Sequence, residues 1–419
     1  MTFLHDKYKG MLAMGAYGDA IGVFNELAGL NGNHATPYRT TLDNASTIPG
    51  RSMSQAFGLW PAISGPNTLP ATTKGVVSDD SAYRLTTLHA FLDHALQNNY
   101  ALLDETAFRQ FLNQPAQTSA AAPMGPLQFP SDVDILLARY NVIESFKVMY
   151  SDQEKWLSGN VSLPATLLNP PLQTFWEGGA STIFGLFLFL ELASIYACCP
   201  LSSVYDRFEN YSIMDNSPAD EALGMYGAML AAAICTHPVS GGFRDFYFST
   251  IQSLNASNRA KNLQNIVFNG EAVGNAHTDP NPLTFTSGPL TTSYNGRPHQ
   301  SSSGIDKFSA EIFVEMISAA VAYGRHDPLV MLQVLANGPG DSDTMPTYLG
   351  SIIGAYYGYQ GIRDSASQAS FTADLDAVIA TTQTYFLTVV NGNRHGYRVN
   401  FDRSATVLEQ LQARHPCPA

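Results

Sequence analysis

The sequence predicts an all-α fold, and two patterns lead to that prediction. Apolar residues between Ala82 and Leu96 recur every three or four positions, which is the period of an amphipathic helix. Two segments, 222–234 and 350–358, are rich in small residues on all sides, which suits helices buried inside a bundle. Alternating strand patterns are scarce. Further helical runs occur at 312–322, 374–390 and 406–413.

Length and charge restrict the classes of protein to which the chain could belong. A chain of 419 residues can bury a sizeable core, and we expect one domain spanning 1–419. Only 14% of the residues are charged, and the formal net charge is −13. A nucleic-acid backbone or an anionic membrane surface requires a basic face on its partner. The composition therefore predicts that neither is the main partner.

Three long polar stretches connect the predicted helices, at about 30–73, 114–130 and 258–304. Long ordered loops often line a binding or active site, although the stretch at 258–304 could equally be a surface insertion. A long apolar segment at 181–199 could cross a bilayer, but it carries Glu191 and lacks flanking lysines or arginines. An acidic side chain costs about 2.5–3.5 kcal/mol at mid-membrane. We therefore predict a buried core helix there.

The cysteines and the start of the chain lead to an expectation about the compartment. The four cysteines show neither the spacing of a zinc site nor the density of a disulfide framework. The first residues lack the basic and then apolar pattern of a signal peptide. We therefore expect a reducing, cytoplasmic location, although export by a specialised route is invisible to this test. The cysteines are Cys198, Cys199, Cys235 and Cys417.

Carboxylates cluster in three short segments. In "GDAIGVFNE", Asp19 lies among glycines and Glu26 follows. In "SDDSAYRL", Ser78 is well placed to cap a helix whose first turn holds Asp79 and Asp80. In "GDSDTMPTYLG", the residues Asp341, Asp343 and Thr344 precede a helix with Pro346 in its first turn.

Each cluster alone has a simple structural explanation, because aspartates at helix starts are favoured by about 0.3–1 kcal/mol through capping and the helix dipole. Two carboxylate doublets far apart in the chain have no such reason to be duplicated. If they converge, their hard oxygens suit Mg²⁺ or Mn²⁺, and their number suits a two-metal site. There is no histidine cluster to suggest zinc.

Rival motifs fit less well. A calcium-binding EF-hand loop begun at Asp341 would need glycine at its sixth position and glutamate at its twelfth, where the chain has Pro346 and Ile352. The Asp-x-Asp of haloacid-dehalogenase phosphatases should follow a strand, and "LANGPG" is not one. The Asp-x-Asp of metal-dependent glycosyltransferases remains a third alternative, although those enzymes are α/β. No GxSxG elbow or Walker loop is present.

At these residues the chain resembles the ADP-ribosylglycohydrolase family. The segment "GMLAMGAYGDAIGVFNE" is similar to the family's G-D-A-x-G-x-P-x-E, and "VSDDSAYRL" to its (T/S)-D-D-(T/S) segment. The segment "GPGDSDTMPTYLGSIIGAYYG" is similar to G-G-D-T-D-T followed by a small-residue helix. Order and spacing agree. The chain departs from the family at Phe24, Ser78 and Ser342, and at Thr182, where the family's arginine is expected.

The resemblance implies an all-α domain with two Mg²⁺ or Mn²⁺ ions in a central cleft. It also implies hydrolysis of the bond between ADP-ribose and an acceptor in ADP-ribosylated proteins or ADP-ribose derivatives. The implied metal-site residues are Glu26, Ser78, Asp79, Asp80, Asp341, Asp343 and Thr344. The implied substrate contacts are Gly178, Gly179 and Ala180, in "EGGASTIFGL", and His237 in "CTHPVSGG"; a glycine-rich turn and a helix-end histidine are the plain alternatives.

Glu26 and Asp80 are the catalytic candidates. Glu26 is either the acid/base that handles the proton of an attacking water or a metal ligand, and the sequence does not separate the two roles. Asp19 is expected to brace a glycine-rich turn. The acceptor is open, with a weak preference for arginine because of the surplus acidity. A catalytically silent module that binds ADP-ribosylated proteins is the alternative from a different functional class.

Overall fold

The computed structural model describes residues 1–29, 77, 79–102, 189–209, 217–238, 241–282, 293–294, 297–298, 310–337, 342–365, 370–385 and 400–417. The all-α class is confirmed. The α-helices are α1 (Phe3–Gly29), α2 (Asp79–Gln97), α3 (Leu201–Glu209), α4 (Ser217–Cys235), α5 (Gly242–Ala256), α6 (Gln264–Ala276), α7 (Ala310–Gly324), α8 (Pro328–Asn337), α9 (Thr344–Ser365), α10 (Phe371–Tyr385) and α11 (Phe401–Arg414). A 3₁₀ helix spans Leu190–Tyr196, and a small antiparallel hairpin pairs β1 (Ser293–Tyr294) with β2 (Arg297–Pro298).

Every segment with a predicted helical pattern lies in a helix where the structure describes it. The run from Ala82 to Leu96 falls within α2, and the run at 312–322 falls within α7. The segment at 374–390 is helical as far as Tyr385, and the rest of it lies outside the described residues. The small-residue segments became α4 and the middle of α9, and most of their side chains are buried.

Helices α1 and α9 make the most extensive helix contact in the described part of the chain, and glycines explain it. A Cβ at Gly18 would collide with the backbone carbonyl of Pro346, and one at Gly22 with that of Ser342. Nearer the other end of the contact, a Cβ at Gly354 would collide with the carbonyl of Gly10. The two helices are therefore antiparallel with their backbones in direct contact, which only glycine permits. We call this contact the glycine seam.

The polar stretch predicted at 258–304 is in part a helix, so that prediction was wrong for α6. Its buried residues, Ile266, Val267, Gly270 and Gly274, form a stripe with helical spacing. The two glycines bring α6 against the backbone of α7. The glycines within the stripe and the exposed Phe268 outside it hid this periodicity in the sequence. The polar stretches at 30–73 and 114–130 lie outside the described residues.

The apolar segment at 181–199 is described from residue 189 onward, and there it lies in the core. The 3₁₀ helix is buried along its whole length, including Glu191, which is 2% exposed. The prediction of a buried core helix is confirmed for this part of the segment, and the helix is of the 3₁₀ type. None of the helices in the described ranges is long and apolar enough to span a membrane.

The cysteines correct a second expectation. Cys198 is bonded to Cys235, with their Cα atoms 5.4 Å apart, and Cys199 is bonded to Cys417, with their Cα atoms 5.5 Å apart. The pairs are separated by 37 and 218 positions, so no local spacing revealed them. These bonds attach the end of the 3₁₀ helix to the end of α4 and to the segment after α11. Disulfides persist in oxidising surroundings, so the cysteines no longer support a reducing compartment.

Candidate active site

The candidate site lies where the first turns of α2 and α9 meet beside the second half of α1. The hydroxyl of Thr344, the first residue of α9, donates a hydrogen bond of 3.3 Å to Oδ2 of Asp80. Ser342 donates a bond of 3.4 Å to the carbonyl of Gly22 in α1. Acidic segments from the two ends of the chain therefore meet at one place in the fold.

Burial of these groups is nearly complete. Asp80 is 2% exposed, and Asp343 and Thr344 are each 1% exposed. Ionised carboxylates in such a position require compensation. Part of it comes from the helix dipoles, because both aspartates lie at helix N-termini, where a negative charge is favoured by about 0.3–1 kcal/mol.

Asp343 uses one of its two carboxylate oxygens in hydrogen bonds with the described residues. Its Oδ1 accepts a 2.9 Å bond from the backbone N–H of Thr344, and its carbonyl oxygen accepts a bond of 2.6 Å from the Thr347 hydroxyl. Its Oδ2 is buried and has no hydrogen-bond partner among the described residues. A buried oxygen of this kind is one that a cation could satisfy.

Asp19 has a different role from the expected one. It does not brace a turn, because α1 runs without interruption through its glycines, which serve the seam. Its Oδ2 accepts a 3.0 Å hydrogen bond from the backbone N–H of Ser81, in the first turn of α2. Asp19 is completely buried. It therefore caps α2 from a neighbouring helix and fixes the residue next to Asp80.

A buried ion pair that the sequence did not predict lies one turn from Asp80. Arg84 of α2 bonds to Glu191, and both side chains are 1–2% exposed. Oε1 of Glu191 also accepts a 3.0 Å bond from Ser351 of α9. Burial raises the pKa of Glu191, while Arg84 and the Ser351 hydroxyl act in the opposite direction. The one clue in the sequence was a lone glutamate inside an apolar segment.

The structure does not bring all the predicted residues together. His237 is exposed, and its ring stacks on Phe3 with the ring centroids 4.2 Å apart. Phe3 begins α1, about 24 Å along the helix axis from Asp19 at 1.5 Å per residue. His237 therefore lies far from Asp80. Ser78, Asp341, Gly178, Gly179 and Ala180 lie outside the described residues, as do the side chains of Glu26 and Asp79, whose backbones belong to α1 and α2.

The donor atoms fit a hard divalent cation as far as they are described. Asp80, Asp343 and Thr344 supply carboxylate and hydroxyl oxygens, which suit Mg²⁺ or Mn²⁺. Within the described part of the chain, no group of three or more His, Cys, Asp or Glu is placed to hold a metal ion. A complete ligand set therefore needs donors beyond these. Ser78, Asp79 and Asp341 adjoin Asp80 or Asp343 in sequence. Glu26 lies one turn after Gly22, whose carbonyl accepts the bond from Ser342.

A family model matches most of the chain. The family model described as ADP-ribosylglycohydrolase matches residues 1–385. This range includes α1, α2 and α9, and with them the convergence of the acidic segments. A search of curated proteins found no match.

Proposed function

Because the chain belongs to the ADP-ribosylglycohydrolase family, we propose that it is a divalent-metal-dependent hydrolase that cleaves the glycosidic bond between ADP-ribose and an acceptor. The observation that supports this most directly is the contact between Thr344 and Asp80. It joins two acidic segments that lie 264 positions apart in the sequence, and it places carboxylate and hydroxyl oxygens side by side.

Two Mg²⁺ or Mn²⁺ ions are the proposed cofactors. When bound, such ions stabilise developing negative charge and lower the pKa of a bound water. The proposed ligands are the described Asp80, Asp343 and Thr344 with Glu26, Ser78, Asp79 and Asp341. The buried Oδ2 of Asp343 has no hydrogen-bond partner among the described residues, and a cation would satisfy it.

The chain's own residues position and protect the site. The Thr344 N–H fixes one oxygen of Asp343 and so orients the other. Asp19 fixes the first turn of α2, and burial of Asp80 excludes bulk water from its carboxylate. Cleavage of a glycosidic bond develops oxocarbenium character at the sugar carbon, and a water then adds there. Glu26 is our candidate for the group that accepts the proton of that water, with metal ligation as its alternative role.

The acceptor is proposed to be arginine, on a weaker basis. An arginine-linked substrate brings a cationic guanidinium, and the chain carries a net charge of −13. Because this acidity is spread over the chain, peptides ADP-ribosylated on serine or other acceptors are tested beside the arginine-linked ones.

The test is release of free ADP-ribose. The protein is incubated with Mg²⁺ and peptides ADP-ribosylated on arginine, serine or another acceptor, and the product is followed by chromatography. We expect release that stops with EDTA and in the double variant Asp341→Asn/Asp343→Asn. Tight binding without product would favour a silent binding module, and undiminished release in EDTA would contradict the metal assignment.

The role of Glu26 has its own test. In Glu26→Gln, metal content should survive better than the rate if the residue transfers a proton. Equal loss of metal and rate would assign Glu26 to ligation.

A further inference from the structure

The ion pair between Arg84 and Glu191 lies at the junction of four elements. Arg84 belongs to α2 and Glu191 to the buried 3₁₀ helix. Nη2 of Arg84 lies 3.5 Å from the carbonyl of Leu12 in α1. Oε1 of Glu191 accepts the bond from Ser351 in α9. The glycine at position 15 makes room for the guanidinium, because a Cβ there would collide with Arg84 and with the Ser351 hydroxyl.

This pair forms a second link between the two helices that carry the site. The first link is the Thr344 to Asp80 hydrogen bond. The second link lies one turn after Asp80 in α2, at Arg84, and two turns after Thr344 in α9, at Ser351. At these spacings Arg84 lies on the same face of α2 as Asp80, and Ser351 lies on the same face of α9 as Thr344. Nη2 of Arg84 also donates a 3.3 Å bond to the hydroxyl of Ser81, the residue that follows Asp80.

From this geometry we propose that Arg84 and Glu191 are positioning residues for the candidate site, holding the first turn of α2 in register with α9 so that Asp80 lies beside Thr344. The inference rests on the proposed function, because the importance of that register follows from metal binding by the two acidic segments. Neither residue is proposed to touch substrate or metal.

Stability alone is a poor explanation of the pair. A buried ion pair is often no more stabilising than apolar side chains of similar volume, because both charges lose their hydration. The Nε atom of Arg84 and Oε2 of Glu191 are buried without hydrogen-bond partners among the described residues, which makes the pair a costly one. An apolar pair would fill the space, but it could not bond to Ser81, Leu12 and Ser351 together. The hydrogen bonds of the polar pair fix the relative positions of the helices, whereas an apolar pair would only fill the space between them.

The experiment compares the wild type with Arg84→Met/Glu191→Leu and with Glu191→Gln. The Gln variant keeps the shape and the capacity to bond to Ser351, and it serves if the double variant does not fold. Three quantities are measured: the thermal midpoint, the Mn²⁺ dissociation constant by electron paramagnetic resonance, and hydrogen exchange of the backbone amides 81–84 in metal-free protein.

We expect the double variant to keep a thermal midpoint close to that of the wild type while Mn²⁺ binds about 10- to 100-fold more weakly, as happens when the groups that orient metal ligands are removed. Exchange at 81–84 should accelerate, and kcat for ADP-ribose release should fall more than KM rises. Glu191→Gln should show the same changes in smaller measure.

Unchanged Mn²⁺ affinity and unchanged exchange in a folded variant would overturn the positioning role and leave the proposed function intact. A wild type that binds no Mn²⁺ and releases no ADP-ribose would overturn the proposed function, and the positioning role with it.

Discussion

The hydroxyl of Thr344 and the carboxylate of Asp80 form a buried hydrogen bond across 264 positions of the chain. This bond is the point at which the acidic segments from the two ends of the sequence meet. The hydrogen bond depends on the antiparallel contact between α1 and α9, because this contact fixes the position of Thr344 along the axis of α1. The site is therefore a consequence of how closely two glycine-rich helices pack.

Removing the Thr344 hydroxyl tests this contact. In Thr344→Val, we expect Mn²⁺ affinity and kcat/KM to fall by about 10- to 100-fold, because a ligand and an orienting bond are lost together. The matched control is Thr250→Val in α5, where the buried hydroxyl donates a hydrogen bond to the carbonyl of Phe246. Metal titration of both variants separates a site effect from the general cost of losing a buried hydroxyl. Equal affinities in the two variants would contradict the account.

The glycine seam predicts a steric effect on stability. In Gly18→Ala the new methyl group would meet the carbonyl of Pro346, so we expect the free energy of unfolding to fall by about 1–3 kcal/mol or more. The control is Gly361→Ala in α9, where, among the described residues, a Cβ would meet the Tyr357 side chain at an ordinary distance of 3.7 Å. That change should be neutral or stabilising by up to about 1 kcal/mol, since alanine favours a helix. Urea denaturation measures both, and a stable Gly18→Ala protein would refute the close packing.

A buried histidine predicts a loss of stability in acid. Burial lowers the pKa of His89 to about 4, with Arg403 and Arg84 acting in the same direction and a hydrogen bond to the Leu85 carbonyl opposing them. Nε2 lies 2.8 Å from the Ser404 hydroxyl. The unfolded chain takes up a proton near pH 6.5 and the folded chain only near pH 4. The neutral ring therefore favours folding fully above about pH 6.5, and this contribution is lost as the pH falls from 6.5 towards 4.

Between pH 7 and pH 5, the wild type should lose about 2 kcal/mol of unfolding free energy through this residue. His89→Gln should lack that component and show a shallower decrease, although its stability at pH 7 is lower. Urea midpoints at the two pH values provide the measurement. Parallel decreases in the two proteins would show that His89 titrates normally in the folded state.

The disulfides predict the state of the thiols. In protein produced in an oxidising compartment, no cysteine should react with a thiol reagent before reduction, and all four should react afterwards in denaturant. Loss of either bond should lower the free energy of unfolding by about 2–5 kcal/mol. The double variant Cys199→Ser/Cys417→Ser should be affected more than Cys198→Ser/Cys235→Ser, because its loop is longer. Four reactive thiols in the unreduced, denatured protein would contradict the pairing.

The features that the sequence predicted well are local ones. The spacing of apolar residues predicted α2 and α7, and Pro346 indicated the start of α9. Each of these signals concerns a single helix, and all three helices are confirmed. The helix α6 was missed because its buried stripe includes Gly270 and Gly274, which a hydrophobic pattern does not register.

The features that the sequence did not predict depend on contacts between distant segments. The Arg84 to Glu191 pair and the four paired cysteines join segments 107, 37 and 218 positions apart. The meeting of Asp80 with Thr344 was expected because two carboxylate doublets occur far apart in the chain and because the segments resemble a family. Asp19 was placed in a turn because its neighbouring glycines suggest one, whereas those glycines serve close helix packing.

The most direct test of the central claim is a Mn²⁺ titration of metal-free protein, wild type against Asp343→Asn, followed by electron paramagnetic resonance. We predict about two bound ions per chain in the wild type, because the number of carboxylates suits a two-metal site. The variant should lose at least one ion or bind Mn²⁺ with much lower affinity. A wild type that binds no Mn²⁺, or a folded Asp343→Asn protein that binds it equally well, would contradict the claim that these acidic segments converge to hold metal.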